Sequence, residues 1–450
     1  MKKTRLFIFV ATLGLLSALL VVPANGQTHA WSSARQVEPP DQGVVAAPNG
    51  GVLGSLFIIG DFRDQGVDAK DPAVAYNTQR QEYLVVWWND RPGCDDIFGR
   101  RVSANGAPLG SRFPIANQCP GERWYPDVTY STQRNEYLVV WGYSATPTTP
   151  PFCIRGQRLE TTGNTIGSVI DITDCSSTTN YGFSPAVAYA STEDKYLVVW
   201  SGRASSATSL NVMGQVVAND SSLIGGNFTI AQGDAFFSHE YPDLAYNHRR
   251  NEYLVAWQRR VPSTTYVDIY CRRVQGNGTP MSPASTEIMA DSTPSYYPAV
   301  AAMPSFTSNG QYLVVWEDAY TPSDRNIEGR LMSGDGTYYS NVFYVAVGGR
   351  DVVNPAVAGN ERTQQYLVTW TYLSSGYGGN YGIEGTAVST TGEVGEEEWI
   401  DGNWADHSAV SSGPNGDFLI TFDEKWDWVS KRGIWGMLWG NRVYLPLVRR

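Results

Sequence analysis

The chain is poor in the residues from which common active sites and nucleic-acid surfaces are built. Its 450 residues include four histidines, five cysteines and seven methionines. Basic residues are outnumbered, 33 against 44 acidic, giving a formal net charge of −11. A surface of that sign repels phosphate backbones and anionic lipid, so nucleic acid is excluded as a partner. No stretch keeps apolar residues at helical spacing over more than two turns, which excludes a helical bundle and a sheet covered by helices. No Gly-x-Ser-x-Gly elbow, metalloprotease helix or phosphate-binding loop occurs, and the sialidase-type Ser-x-Asp-x-Gly-x-Thr-Trp box is missing. These gaps leave room for a new kind of catalytic site but lower the expectation of one.

Long apolar runs are also scarce. The single example, Leu6 to Val22, follows Lys2, Lys3 and Arg5 and precedes the small residues Ala24 and Gly26. That is the layout of an export signal, with cleavage expected after Gly26 or Ala30. Residues 1–26 are therefore expected to be absent from the mature protein, which then has no transmembrane segment and is secreted or held at the cell surface. Their loss removes three cations and no anions, taking the formal charge from −11 to −14.

What the chain has in abundance is aromatic residues, glycine and proline, in a repeat. A short strand of small residues after proline is followed by a polar turn and an apolar strand ending in Trp: Pro72-Ala-Val-Ala-Tyr76, then Tyr83-Leu-Val-Val-Trp87. The pattern returns with Pro126 and Trp141, Pro185 and Trp200, Pro242 and Trp257, Pro298 and Trp316, Pro355 and Trp370, and in degenerate form with Ser408 and Phe422. A third strand carries a small residue at one position, Gly99, Gly156, Gly214, Cys271, Gly329, Gly385 and Gly436, and Gly-rich turns lead to a fourth. Seven four-stranded antiparallel meanders result, with strands A to D.

Strand B sets the architecture. Tyr83, Val85 and Trp87 face one way and Leu84 and Val86 the other, so both faces of the sheet need cover. No connection is long enough to supply a helix, so neighbouring sheets must cover each other. Radial stacking into a single seven-bladed β-propeller over residues 50–440 satisfies this, with 27–49 as an N-terminal segment and 441–450 as a tail. A parallel β-helix is the disfavoured rival, because it lacks this hairpin punctuation. Closure has two candidates. Leu56 to Ile59 could complete the last blade as its outer strand, since Gly50, Leu53, Gly54 and Phe57 match Gly106, Leu109, Gly110 and Phe113, or Val443 to Val448 could fill that place.

The segments Asp96-Ile-Phe-Gly-Arg-Arg-Val102 and Asp268-Ile-Tyr-Cys-Arg-Arg-Val274, each after a Tyr-Leu-Val-Val/Ala-Trp strand, resemble the units of a group of bacterial exported repeat proteins. The resemblance spans about residues 50–440 and implies an exported β-propeller without an assigned activity, so it carries no catalytic residues. The ending Arg442-Val-Tyr-Leu-Pro-Leu-Val448 resembles a C-terminal tail of exported proteins from filamentous green bacteria.

Cys94 and Cys119 stand at the start of strand C and just after strand D of unit one, and Cys153 and Cys175 occupy the same places in unit two. Those points are neighbours in a hairpin, so two intra-blade disulfides are expected. Cys271, which replaces the repeated glycine, is expected to be free, buried and unreactive. His239 and His407 fall in units four and seven, nearly opposite, with His29 and His248 elsewhere, so a zinc site is not expected. Calcium has two oxygen-rich sets open to it, Asp90 with Asp95 and Asp96, and Asp423 with Glu424 and Asp427. Neither has the spacing of a recognised loop, so solvated carboxylates are the expectation.

For function, Trp124, Tyr125, Phe183, Tyr241, Tyr296 and Tyr297 precede strand A and are expected to ring the channel mouth, with Trp404, Trp426 and Trp428 in loops of the same face. Packing is the expected role of Tyr125, Tyr241 and Tyr297, whereas Trp426 and Trp428, two apart in a charged loop, could stack on a ligand. Flat aromatic faces beside carboxylates and amides suit sugar rings. The leading expectation is thus a non-catalytic propeller that binds a glycan or, failing that, an extracellular protein as an interaction scaffold. The enzymatic alternative is a polysaccharide hydrolase or lyase using Asp127, Asp243 and Asp71, the first two of which replace the small residue after proline.

Overall fold

The computed structural model describes residues 50–61, 67–91, 93–146, 152–176, 181–203, 209–261, 264–290, 293–321, 324–347, 351–373, 381–402, 404–426 and 431–440. The signal, residues 27–49, the C-terminal tail, Asp427 and Trp428 lie outside them, as does the side chain of Trp426. Among the described residues, twenty-eight strands form seven sheets, each four-stranded and antiparallel. In blade 1, strands A to D are Asp68–Asn77, Glu82–Asp90, Asp96–Ser103 and Pro108–Ala116. Strand A of blades 2 to 7 is Glu122–Ser131, Tyr181–Ala190, Ser238–Asn247, Ser295–Met303, Asp351–Asn360 and Ala405–Ser412. Each strand A contacts the strand A of the blades before and after it, and the last contacts the first. The fold is a closed seven-bladed β-propeller.

The two faces of strand B produce seven apolar interfaces. Leu84 and Val86 of blade 1 pack with Tyr137, Val139 and Trp141 of blade 2. Leu138 and Val140 meet Tyr196, Val198 and Trp200, and the same handover recurs around the ring. It closes where Leu419 of blade 7 meets Tyr83, Val85 and Trp87. In blade 7, Phe418, Ile420 and Phe422 stand in the Tyr, Val and Trp places, so the degenerate unit still fills the interface. Burying each of these large side chains stabilises by roughly 1.5–3 kcal/mol, which makes the interface column the main source of stability.

The small residue of strand C has a steric cause. A Cβ on Gly436 would lie 2.7 Å from the ring of Phe57, and one on Gly214 2.7 Å from Phe228, because in blades 1, 3, 5 and 7 a phenylalanine of strand D lies across this position. Blade 4 pairs Cys271 with Thr286 instead of a phenylalanine, which leaves room for the thiol. Cys271 is free and buried, and burial pushes its pKa up to about 12. Both expected disulfides are present, Cys94–Cys119 with a Cα separation of 5.2 Å and Cys153–Cys175 with 5.4 Å. Closing loops of this length restricts the unfolded chain by about 3.5 kcal/mol each on chain-entropy grounds.

Closure follows the first candidate. The strand Gly51–Gly60 pairs antiparallel with Lys431–Gly440 as the outer strand of blade 7, whose remaining strands are Ala405–Ser412 and Phe418–Trp426. The last sheet is thus built from both ends of the described chain. Deleting residues 51–60 should expose the edge of Lys431–Gly440 and remove Phe57 and Ile59 from the seam. A lower unfolding temperature together with concentration-dependent association in light scattering is expected, and unchanged values for both would contradict this closure.

Candidate functional site

A cavity of about 490 Å³ opens on the axis and is lined by strand A of all seven blades. Its lining repeats one device. The residue before the strand-A proline, or before Ser408 in blade 7, has a left-handed backbone: Asp71, Tyr125, Ser184, Tyr241, Tyr297, Asn354 and His407, with φ from 46° to 54°. The A–B pairing skips that residue and the next in every blade, as between Glu240 and Asp243 or between Lys70 and Ala73. The bulge turns one side chain per blade into the channel.

Non-glycine residues in this conformation cost roughly 1–3 kcal/mol each, and six of the seven precede proline, which restricts them further. Hydrogen bonds from the preceding blade hold four of them. The amide of Tyr241 donates to Ser201 Oγ (2.8 Å), that of Tyr297 to Gln258 Oε1 (3.1 Å), that of Asn354 to Glu317 Oε1 (2.7 Å) and that of Asp71 to Asp423 Oδ2 (3.3 Å). Each acceptor directly follows the large aromatic residue, Trp or Phe, of strand B.

The ring has two chemically distinct arcs. Tyr125, Tyr241 and Tyr297 lie in blades 2, 4 and 5, with Ser184 of blade 3 between the first two; Tyr125 is 50% exposed and Tyr297 38%. Tyr241 and Tyr297 pack edge to face with centroids 4.8 Å apart. Across blades 6, 7 and 1 come Asn354, His407 and Asp71. His407 Nδ1 stands 3.4 Å from Asp71 Oδ1, 3.5 Å from Asp406 Oδ2 and 3.7 Å from Asp423 Oδ2. Burial works against protonating the imidazole, but the hydrogen bond to Asp423 and the charges of the three carboxylates outweigh it and push the pKa up to about 9. The ring is 44% exposed, yet it sits in a concavity whose walls set its electrostatics. Asp71 is raised by burial, against the pull of His407, and its Oδ2 accepts a 2.6 Å bond from Trp88 Nε1. Arg432 closes the back of the cluster, donating to Asp423 and standing 3.8 Å from Asp406.

Asp71, His407 and Asp423 are the one group among the described residues whose ligand atoms could converge on a metal, all lying within 4.8 Å of one another. A cation is already supplied there by the protonated imidazole, with Arg432 behind it. The Asp90, Asp95 and Asp96 set is not pooled. Asp90 pairs with Lys70 at 2.6 Å, Asp96 with Arg91 at 2.8 Å, and Asp95 accepts the Arg91 amide at 2.9 Å. Burial and the neighbouring Glu122 carboxyl push Asp95 up to about 8. His239 is buried in blade 4, where its Nδ1 accepts from Trp257 Nε1 at 2.7 Å, and burial lowers its pKa to about 4.

Asp127 and Asp243 line the cavity with their carboxylates engaged by backbone. Asp127 accepts from its neighbour Val128 N (2.8 Å) and from Val187 N of the next blade (2.7 Å). Asp243 repeats this with Leu244 N and Val300 N, both at 2.8 Å. Burial, only partly offset by these amides, raises them to about 7 and about 6, and Asp243 adds to the rise in Asp127. They are straps between blades.

Of the residues expected at the mouth, Tyr125, Tyr241 and Tyr297 line the cavity, although packing was the expected role of all three. Trp124 and Tyr296 do not line it: each precedes the left-handed residue and is turned away from the channel. Trp124 lies against Gly142 and edge-on to Phe152, and Tyr296 lies 6.2 Å from Tyr297. Phe183 likewise packs edge-on to Tyr241 at 6.0 Å. Trp404 is half-buried against Tyr381, with Lys425 5.6 Å from its ring. The paired role of Trp426 and Trp428 falls outside the described residues. The nest around His407 was missed, although two columns of the repeat hold its parts: the residue before proline and the residue after the strand-B aromatic.

No protein-family model matches the chain, and no curated protein matches it. Among solved structures, a protein of unknown function from Dyadobacter fermentans superposes with a TM-score of 0.55 at 10% identity, covering 88% of this chain and 100% of that one. Weaker overlaps include an α-L-arabinofuranosidase from Fusarium graminearum, TM-score 0.46, 11% identity, 86% and 98% coverage. An α-L-arabinanase from Penicillium chrysogenum gives 0.45, 13% identity, 87% and 98% coverage. At such identities the likeness concerns the propeller fold and carries no activity over to this chain.

Two outcomes test the site. Asp127→Asn leaves one backbone amide facing an NH₂ group, so it should destabilise by about 1–3 kcal/mol in denaturant unfolding; unchanged stability would contradict a strap. His407 has a folded pKa near 9 against 6.5 for the free side chain, so its stabilisation should be complete below pH 6.5 and fade as pH rises through 9. The stability difference between wild type and His407→Asn should shrink over that window, and a constant difference would refute the nest.

Proposed function

We propose that this chain is an exported binding propeller whose channel mouth takes a glycan without turning it over. The observation that carries the reading is the division of the mouth into a tyrosine arc and a polar arc within one cavity. Tyrosine faces supply the flat apolar surface on which a sugar ring stacks, and Asp71, Ser184, Asn354 and His407 supply donors and acceptors for its hydroxyls. The seven side chains are fixed by backbone bulges, so little order must be imposed on binding. Export is supported by the N-terminal signal pattern and the two disulfides, and no helix of the described residues is long and apolar enough to cross a membrane.

One observation favours a hydrolase instead: Asp127 and Asp243 share the cavity and titrate near neutrality. Their use as general acid and base is opposed by the two backbone amides donated to each carboxylate, one to each oxygen, which hold both oxygens as acceptors. A glycan array followed by a turnover assay on the hits separates the two, since product formation would favour the hydrolase. For the binding reading, Tyr241→Ala combined with Tyr297→Ala should weaken the best glycan by more than about 1 kcal/mol while moving the unfolding temperature little. Undiminished binding would remove the tyrosine arc from the site.

A further inference from the structure

We infer that the glycan accepted at this mouth carries a free amine, an amino sugar of the glucosamine type, whose ammonium is held between the tyrosine arc and the acidic arc. The inference rests on the glycan reading and narrows it.

Charge at the cavity is one-sided. Its lining contains the carboxylates of Asp71, Asp127 and Asp243 and the imidazole of His407, and neither lysine nor arginine. Directly behind stand Asp406 and Asp423, with Arg432 as the one further cation of the nest. Five carboxylates thus face two positive groups, and both positive groups are already committed: Arg432 to Asp423 and Asp406, His407 to Asp71, Asp406 and Asp423. Burial raises Asp71, Asp127 and Asp243, and a nearby cation would favour their charged forms against that burial. A ligand ammonium would supply that charge, whereas a uronate or sulfated sugar would add to the excess.

The geometry admits such a group. Asp127 and Asp243 each use one lone pair per oxygen on a backbone amide, and a carboxylate oxygen offers a second. Tyr125, 50% exposed, and Asp71 both line the cavity, and the phenol is raised by burial and by the Asp71 charge, so an aromatic face and a carboxylate address the same space. Aromatic faces attract ammonium groups as well as the C–H faces of sugars, and together with a carboxylate they favour the aminated sugar over its neutral counterpart. The cavity of about 490 Å³ is large enough for a sugar ring.

The test compares three oligosaccharides of equal length by calorimetry at pH 6.5 and low salt: β-1,4-linked glucosamine, β-1,4-linked N-acetylglucosamine and α-1,4-linked galacturonate. Glucosamine oligomers should bind at least about tenfold more tightly than the acetylated ones and weaken as salt rises, galacturonate should not bind, and Asp71→Asn should remove most of the preference. Because Asp71 also sits in the blade 7 to blade 1 seam, its variant is scored only if its unfolding temperature is retained; the ligand series on the wild type decides otherwise. Equal or tighter binding of the acetylated or acidic sugar would overturn the inference and leave the glycan reading standing. Binding of none of the three, with glycan-array hits confined to unaminated sugars, would overturn the inference alone, and an array without any hit would overturn both. Comparable binding of poly-lysine would overturn the sugar assignment by showing that any ammonium suffices.

Discussion

Everything in this molecule depends on a strand with no polar face. Five consecutive residues of strand B, Tyr83 to Trp87 in blade 1, are fully buried, and their alternation sends them into two different interfaces. A sheet with both faces apolar and no helix to cover them can be satisfied only by another sheet on each side, and a row of such sheets ends only by closing on itself. Closure then falls to the two ends of the described chain. Gly51–Gly60 supplies the outer strand that blade 7 lacks and brings Ile59 against Trp87 of blade 1.

Ring closure places seven equivalent positions around one axis, and the left-handed residue before proline turns that symmetry into a site. The backbone cost of four of the bulges is offset by contacts from the preceding blade, such as the Ser201 hydroxyl on the Tyr241 amide. Because the bulge and the donated amide belong to the backbone, the ring side chain is free to vary. It is tyrosine in three blades and Asp71, Ser184, Asn354 and His407 in the others. The same scaffold therefore carries an aromatic arc and a charged arc at no change in fold.

The fold was legible in the sequence because its signals are local and repeated: the Pro-to-Trp spacing, the alternation of strand B, and the matching places of Cys94/Cys119 and Cys153/Cys175. The closing strand was legible as one of two candidates, from the match of Phe57 to Phe113. The site was legible only in part. Tyr125, Tyr241 and Tyr297 were placed at the mouth from their position before strand A, but so were Trp124 and Tyr296, which sit one residue earlier and turn the other way. A left-handed bulge reverses side-chain direction within a single residue, and nothing in strand alternation announces it. The His407 nest was hidden for a different reason. Its carboxylates come from Asp71 at one end of the ring and Asp406 and Asp423 at the other, and only closure makes them neighbours. Asp127 and Asp243 were candidate acids because they replace the small residue after proline, and their bonds to Val187 and Val300 were not readable because they cross between blades.

The central claim is that ligand enters at the axial mouth between the tyrosine and acidic arcs. A crystal structure of the protein with a bound oligosaccharide tests it most directly. The account predicts a sugar ring against Tyr241 or Tyr297 with a polar substituent directed toward Asp71 and His407. Density for the sugar on the outer strands, on the opposite face, or between two blades away from the axis would contradict it.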